Sequence, residues 1–241
     1  FQERFGNNDQ ESNFIRYIKD VVGYYTPEPA ETPRNGHWTE RILGTGDYQM
    51  YGFFVATLLK HAFSINQNEY EYMPLDFNIG QYGDNVQYSV ISLNYDLVLE
   101  KMAKYVDSLL GSQRCFVRGF EYVEGAKGTP LAKLHGSIDT DDIVPPTWNK
   151  TLQHERISKE WRLAFKLLSE ANYIRILGYS LPPTDTYIKY LLRATVINAS
   201  NLESIDVLCL DHDGTVRQRY DEFIEKRNYR FKSHYIEEYL S

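Results

Sequence analysis

Two residues in this chain have the chemistry to accept a proton and to hold a water beside it. His135, in KLHGSI (133–138), carries an imidazole whose ordinary pKa lies near neutrality, so it can take a proton from a hydroxyl or from water. Asn94, in SLNYDLVLE (92–100), offers a donor and an acceptor on one amide and can hold a water and a hydroxyl together. Asp96 follows it closely. Farther along, ILGYSLPPTD (176–185) supplies Gly178, Ser180 and Asp185, and IDVLCLD (205–211) ends on Asp211, whose two acceptor oxygens suit a vicinal diol.

Each of these also has an ordinary structural use. A histidine after an apolar strand commonly sits satisfied in its loop, and an asparagine there commonly forms a turn. Asp96 is placed to cap the helix that opens with LVLE, and Thr184 or Asp185 to cap the helix after the paired prolines. Gly178 serves either a tight turn or the close approach of a ligand to the backbone. Asp211 reads equally as a turn residue in DHDG.

Elements that deliver these residues alternate along the chain. YSVISLN (88–94), LAKLHGS (131–137), YIRILGY (173–179), IDVLCLD (205–211) and YRFKSHY (229–235) read as short strands. Helices are expected over 96–110, 156–171, 184–199 and 213–227, the second with Ile157, Trp161, Phe165 and Leu168 on one face, the last with Val216, Tyr220, Phe223 and Ile224. Such alternation with nearly continuous apolar strands predicts an α/β domain with one parallel sheet, holding the strands near 88–94, 173–178 and 205–210, and helices on both faces. Ligands of such sheets bind outside the carboxyl ends of the strands, so Asn94, His135 and Gly178 are expected to line one cleft, with His135 projecting from its strand.

Residues 1–85 read differently, as a smaller helical or lid portion packed on a core at 86–241. A helix is expected from Tyr48 to Phe63, capped by Asp47, because Met50, Phe53, Phe54, Thr57, Leu58 and His61 recur at helical spacing. Three prolines make YYTPEPAETPRNGHW (24–38) a loop.

Composition excludes several classes. The net charge of -7, without a long basic cluster, argues against a nucleic-acid surface. No run reaches the ~18 apolar residues of a membrane span, and no basic-then-apolar leader is seen, so a cytoplasmic location is expected. The two cysteines, Cys115 and Cys209, cannot form a four-thiolate zinc site and are expected to be reduced and buried. His61, His154 and His212 lack the spacing of metal ligands, so no metal is expected.

SLNYDLVLE (92–100), KLHGSI (133–138), VPPTWNK (144–150) and ILGYSLPPTD (176–185), in that order, resemble the motif series of sirtuin-like domains, most closely the prokaryotic branch found in anti-phage defence proteins. The resemblance spans roughly residues 88 to 215. It implies a Rossmann-like fold that binds NAD and breaks its nicotinamide–ribose bond. Asn94 and His135 fall at the catalytic Asn and His positions, and Asp96 where the nicotinamide carboxamide is recognised. With Asp96, the residues Gly178, Ser180, Asp185 and Asp211 are the candidates for binding the cofactor. Trp148 either walls the pocket or anchors its own loop. The family's Gly-Ala-Gly-x-Ser phosphate loop has no counterpart here; the nearest string, ILGTGD (42–47), reads as a phosphate cradle or as a helix N-terminal turn.

The activity implied is that of an NAD glycohydrolase in anti-phage defence, giving nicotinamide and ADP-ribose. Nicotinamide leaves NAD as a cationic group, so the site must stabilise an oxocarbenium-like ribose and position a nucleophile, with no acid needed. A protein deacylase or ADP-ribosyltransferase would use the same bond, but family deacylases generally hold a small domain with zinc cysteines that this chain lacks. A non-catalytic module that binds NAD or ADP-ribose is the alternative of a different class, favoured by the missing phosphate loop and disfavoured by the presence of both Asn94 and His135. The expected partners are NAD or ADP-ribose and either an adjoining sensor or effector domain or further copies of the chain, with neither nucleic acid nor membrane.

Overall fold

A computed structural model describes residues 8–26, 28–29, 47–61, 86–110, 113–140, 142–144, 155–224 and 228–236. Most of the expected loop at 24–38, the first five residues of ILGTGD, Phe63, Trp148, His154 and the capping side chain of Asp47 lie outside the described residues. The chain divides into two compact units, Phe1–Val144 with Lys150–Glu160 and Pro145–Asn149 with Trp161–Ser241.

In the first unit come α1 (Asn8–Tyr24), α2 (Asp47–Leu58), β1 (Val90–Ser92), α3 (Val98–Leu110), β2 (Phe116–Arg118), β3 (Thr129–Lys133) and the opening of α4 (Glu155–Glu170). The strands form a parallel sheet in the order β1-β3-β2. Its central strand is the best buried, with Leu131 and Ala132 fully enclosed. Val55, Ala56 and Leu59 at the end of α2 pack on Met102, Ala103 and Val106 of α3, with Phe116 of β2 against the cluster. Burial of each larger side chain of this kind is worth roughly 1.5–3 kcal/mol.

Helix α2 stops short of the expected Phe63, because Lys60 turns to φ 60 and side chains take over its last carbonyls. The Thr129 hydroxyl donates to the Leu58 carbonyl at 2.8 Å, and the Arg114 guanidinium to those of Leu59, at 3.1 Å, and Lys60. These bonds satisfy groups that a helix end leaves open, and a cation there also suits the helix dipole. The strand β2 had no counterpart in the sequence reading: three residues are too few to display a period, and one of them is Arg118.

The second unit holds the rest of α4, then β4 (Tyr173–Leu177), α5 (Thr186–Asn198), β5 (Ser204–Leu208), α6 (Thr215–Asp221) and β6 (Tyr229–Lys232). Its strands are again parallel, in the order β4-β5-β6. Val216, Tyr220, Phe223 and Ile224 are buried as their spacing predicts, although α6 itself ends at Asp221.

The α/β class and the parallel pairing therefore hold, but the single sheet does not: among the described residues, the strands near 88–94 and those near 173–178 and 205–210 lie in separate three-stranded sheets. Apolar runs report that strands are buried, not which edges pair. Helix α4 also departs from expectation. Its buried face is Ile157, Glu160, Leu163, Ala164 and Leu168, whereas Trp161 is half-buried and Phe165 exposed. Cys209 is buried, but Cys115 is exposed, against expectation. Among the described residues no helix is long and apolar enough to cross a membrane.

Candidate active site

Parallel register brings Asn94 and His135 to the same place. Ser92 pairs with Lys133 at the end of the β1–β3 ladder, and the Leu134 amide continues it by donating to the Ser92 carbonyl at 3.1 Å. Leu93–Asn94 and Leu134–His135 thus leave the sheet side by side. The strand ends at Lys133, short of the expected Ser137, because Gly136 turns the chain at φ +83, where an added Cβ would collide with the Asp142 carbonyl. The Val144 amide closes the turn on the His135 carbonyl at 2.9 Å, and the Ile138 amide ties it to the Tyr95 carbonyl at 3.0 Å.

His135 does not project into solvent: only 5% of it is exposed, since the turn folds its imidazole back over the end of β1. Its Nδ1 lies 3.0 Å from the Leu93 carbonyl oxygen. A carbonyl can only accept, so Nδ1 carries the proton and Nε2 of the neutral ring bears the lone pair. The Tyr95 ring lies 6.1 Å from the imidazole, and its hydroxyl donates to the Val144 carbonyl at 3.3 Å. Asn94 is exposed, with its backbone amide on the Ser92 hydroxyl at 3.2 Å. Asp96 caps α3, its Oδ1 accepting the Val98 amide at 3.1 Å.

Beside these turns lies a cluster of charges, buried at Glu160, Lys133 and Arg118 and partly exposed at Glu100 and Asp139. Glu160 accepts the backbone amides of Lys133, Gly119 and Phe120 at 2.9, 3.2 and 3.4 Å, with Arg118 Nε 3.7 Å away. Burial pushes its carboxyl above the ordinary range, opposed by the Lys133 amide, Arg118 and the other two amides. Lys133 is enclosed; burial pulls its ammonium below the ordinary value while Glu100, 3.3 Å away, opposes the shift. Arg118 reaches Glu100 at 3.3 Å and Asp139 at 3.6 Å. For Asp139 burial acts upward, but the Ser137 hydroxyl, Arg118 and Lys133 together hold its carboxyl below the usual range. An open cleft of about 420 Å³ borders this cluster at Glu100 and Asp139; neither Asn94 nor His135 is among the described residues lining it.

The sequence carried two signals for this cluster that the motif reading passed over. Lys133 stands inside an apolar strand, and Glu160 falls on the apolar face of its helix, three residues after Ile157 and four before Ala164. A charge at a core-facing position is itself informative, because burial demands partners.

At the carboxyl edge of the second sheet stand Gly178, Ser180, Asp185 and Asp211. Gly178, at φ +68, donates its amide to the Leu208 carbonyl at 2.8 Å, and a Cβ there would come within 2.5 Å of Ile236 Cδ1. The Ser180 carbonyl accepts Arg219 at 3.0 Å. Asp185 occupies the N-cap position of α5 but makes no side-chain cap; it is buried, and its Oδ2 accepts the Tyr179 hydroxyl at 3.0 Å. Burial and the Asp185 carboxylate push the Tyr179 phenol upward. Asp211 spends its carboxylate on α6, accepting the Val216 and Arg217 amides at 3.2 and 3.0 Å.

The structure thus gathers Asn94, Asp96 and His135 at one edge of the first sheet, and Gly178, Ser180, Asp185 and Asp211 at the corresponding edge of the second. Among the described residues no group of three or more His, Cys, Asp or Glu side chains is arranged to hold a metal ion. No family model matches the chain, and no curated protein or solved structure matches it either.

Proposed function

We propose that the carboxyl edge of the first sheet cleaves the nicotinamide–ribose bond of NAD, as a Rossmann-like, sirtuin-like NAD glycohydrolase of the anti-phage-defence type. The observation that carries this reading is the pairing of an exposed Asn94 with an imidazole whose Nδ1 is committed to the Leu93 carbonyl. That commitment makes Nε2 the basic nitrogen. In the reaction the C–N bond breaks as neutral nicotinamide departs, a water held by Asn94 attacks the ribose carbon, and His135 Nε2 takes the proton the water loses.

The test is nicotinamide release from NAD by the full-length protein, with any activating partner supplied. His135→Ala is expected to lower turnover by about 10²–10⁴, the usual loss of a positioned base, and Asn94→Ala comparably. Burial of His135 means that stability is measured alongside, so that rate is expressed per folded molecule. Turnover that persists in His135→Ala would mean that another group is the base.

A second reading draws on the same burial. An imidazole enclosed by its own turn and bonded to a backbone carbonyl is also what a non-catalytic NAD- or ADP-ribose-binding module would carry. It calls for measurable NAD binding with no nicotinamide released by the complete protein.

A further inference from the structure

We propose that Lys133 is a positioning residue whose ammonium clasps the turn after β1 to the turn after β3, and so sets Asn94 and His135 against each other. The inference rests on the reading of that edge as the site of NAD cleavage. Lys133 is the last residue of the central strand, and its side chain is 1% exposed. An ammonium has three N–H donors, and here each has an acceptor: the Asp96 carbonyl, the Ser137 hydroxyl at 3.1 Å and Glu100 Oε1 at 3.3 Å. Asp96 lies two residues after Asn94, and Ser137 two residues after His135. A single charged group therefore bonds both turns just beyond the residues proposed for the chemistry.

The Ser137 hydroxyl oxygen also lies 3.4 Å from the Tyr95 carbonyl, so this side chain stands against both turns. Behind the ammonium, the strand that bears it is pinned by the Lys133 amide on Glu160. An enclosed charge is a costly way to fill the end of a strand, where leucine or methionine would pack without desolvation. What the ammonium adds is direction, through three bonds of fixed geometry to two turns and a helix. Displacements near 1 Å in a reacting pair are enough to lower rates by two orders of magnitude.

The experiment compares Lys133→Met, which keeps the aliphatic stem and removes the donors, with Ser137→Ala and the double variant, all in the full-length protein. Nicotinamide release is measured as kcat and KM per folded molecule, beside thermal stability. The expected result is a kcat lowered about 10- to 100-fold in Lys133→Met with KM changed far less, a smaller loss in Ser137→Ala, and a double variant no worse than Lys133→Met. Lost stability with an unchanged kcat per folded molecule would overturn the clasp and leave Lys133 merely structural. Should Lys133→Met fail to fold, Ser137→Ala decides by the same split.

A second readout needs no substrate turnover. Nitrogen-15 NMR of the imidazoles is expected to show His135 protonated at Nδ1 in the parent protein and shifted toward tautomer exchange in both single variants, with His212 unmoved. A parent protein that releases no nicotinamide defeats the functional reading alone. In that case a His135 signal unchanged in both variants overturns the clasp, and a shifted one supports it.

Discussion

At the carboxyl edge of the first sheet the turns are held by a cluster of paired charges, and at the corresponding edge of the second by hydrogen bonds of single side chains and by helix capping. In the first, Lys133 and Glu160 are almost wholly enclosed, and neither belongs to the residues proposed for the chemistry. In the second, the candidate residues do the holding themselves: Asp185 takes the Tyr179 hydroxyl, Asp211 takes the amides that open α6, and Tyr220 ties itself to the Tyr179 carbonyl at 2.7 Å. The carboxylates of the second edge are thus engaged by their own turn and helix. At the first edge, residues outside the proposed chemistry do much of the fixing of the backbone, at a cost in desolvation.

The largest effect that would test this contrast is the loss of Glu160. Glu160→Ala strands three backbone amides and removes a partner of the buried Arg118, so it is expected to cost about 3–5 kcal/mol in denaturant unfolding. Asp211→Ala loses a helix cap open to water on one side and should cost about 0.5–2 kcal/mol. If the two losses are equal, the first edge is no more dependent on its ions than the second on its caps.

A sharper comparison uses one glycine from each edge. Both Gly136 and Gly178 have positive φ, so alanine is strained at either by about 1–2 kcal/mol. Their surroundings differ: the added Cβ meets the backbone carbonyl of Asp142 at the first, and only the tip of the Ile236 side chain at the second. Backbone pinned in a turn cannot yield as a side-chain tip can. Gly136→Ala is therefore expected to be the more destabilising, and to lower nicotinamide release as well, while Gly178→Ala costs little beyond the strain. Equal unfolding midpoints would show that the His135 turn is softer than its hydrogen bonds suggest.

How far the sequence discloses this arrangement depends on which interactions are local. Strand ends are visible as polar residues after apolar runs, so Asn94 and His135 could be named, and parallel register then makes them neighbours. The division into two sheets is a matter of which edges pair, a non-local choice that an apolar run does not record. Asp185 shows the same limit: its position before α5 reads as a cap, yet Tyr179, six residues earlier in the chain, takes its carboxylate. Lys133, Arg118 and Glu160 are types that normally face water, so the core-facing positions of Lys133 and Glu160 are easily read past, and their partners come from distant parts of the chain. Burial of His135 likewise follows from the Gly136 turn, which a strand extended to Ser137 does not anticipate.

The smallest effect expected is one of slope, and it bears on whether the first edge is ionic in the way described. The Glu160 carboxyl is raised in the folded protein, chiefly by burial, above its value in the unfolded chain. Stability from such a group is fully present below the unfolded value and is lost as pH rises through the folded one. The advantage of the parent protein over Glu160→Gln should therefore shrink as unfolding is measured from about pH 4 toward neutrality, a window that starts at the ordinary carboxyl value. Asp139 has the opposite sign, because the Ser137 hydroxyl, Arg118 and Lys133 outweigh burial and lower its folded value. Its contribution is present above the ordinary carboxyl range and lost as pH falls through the folded value, so the advantage over Asp139→Asn should shrink toward acid. Half-exposed, Asp139 is screened by solvent, and its slope should be the shallower of the two. Denaturant unfolding of the three proteins from neutrality down through the ordinary carboxyl value and below it measures both slopes. A Glu160→Gln difference that grows with pH would mean that Arg118 and the three amides outweigh burial and that Glu160 stands in the folded protein as a stable anion.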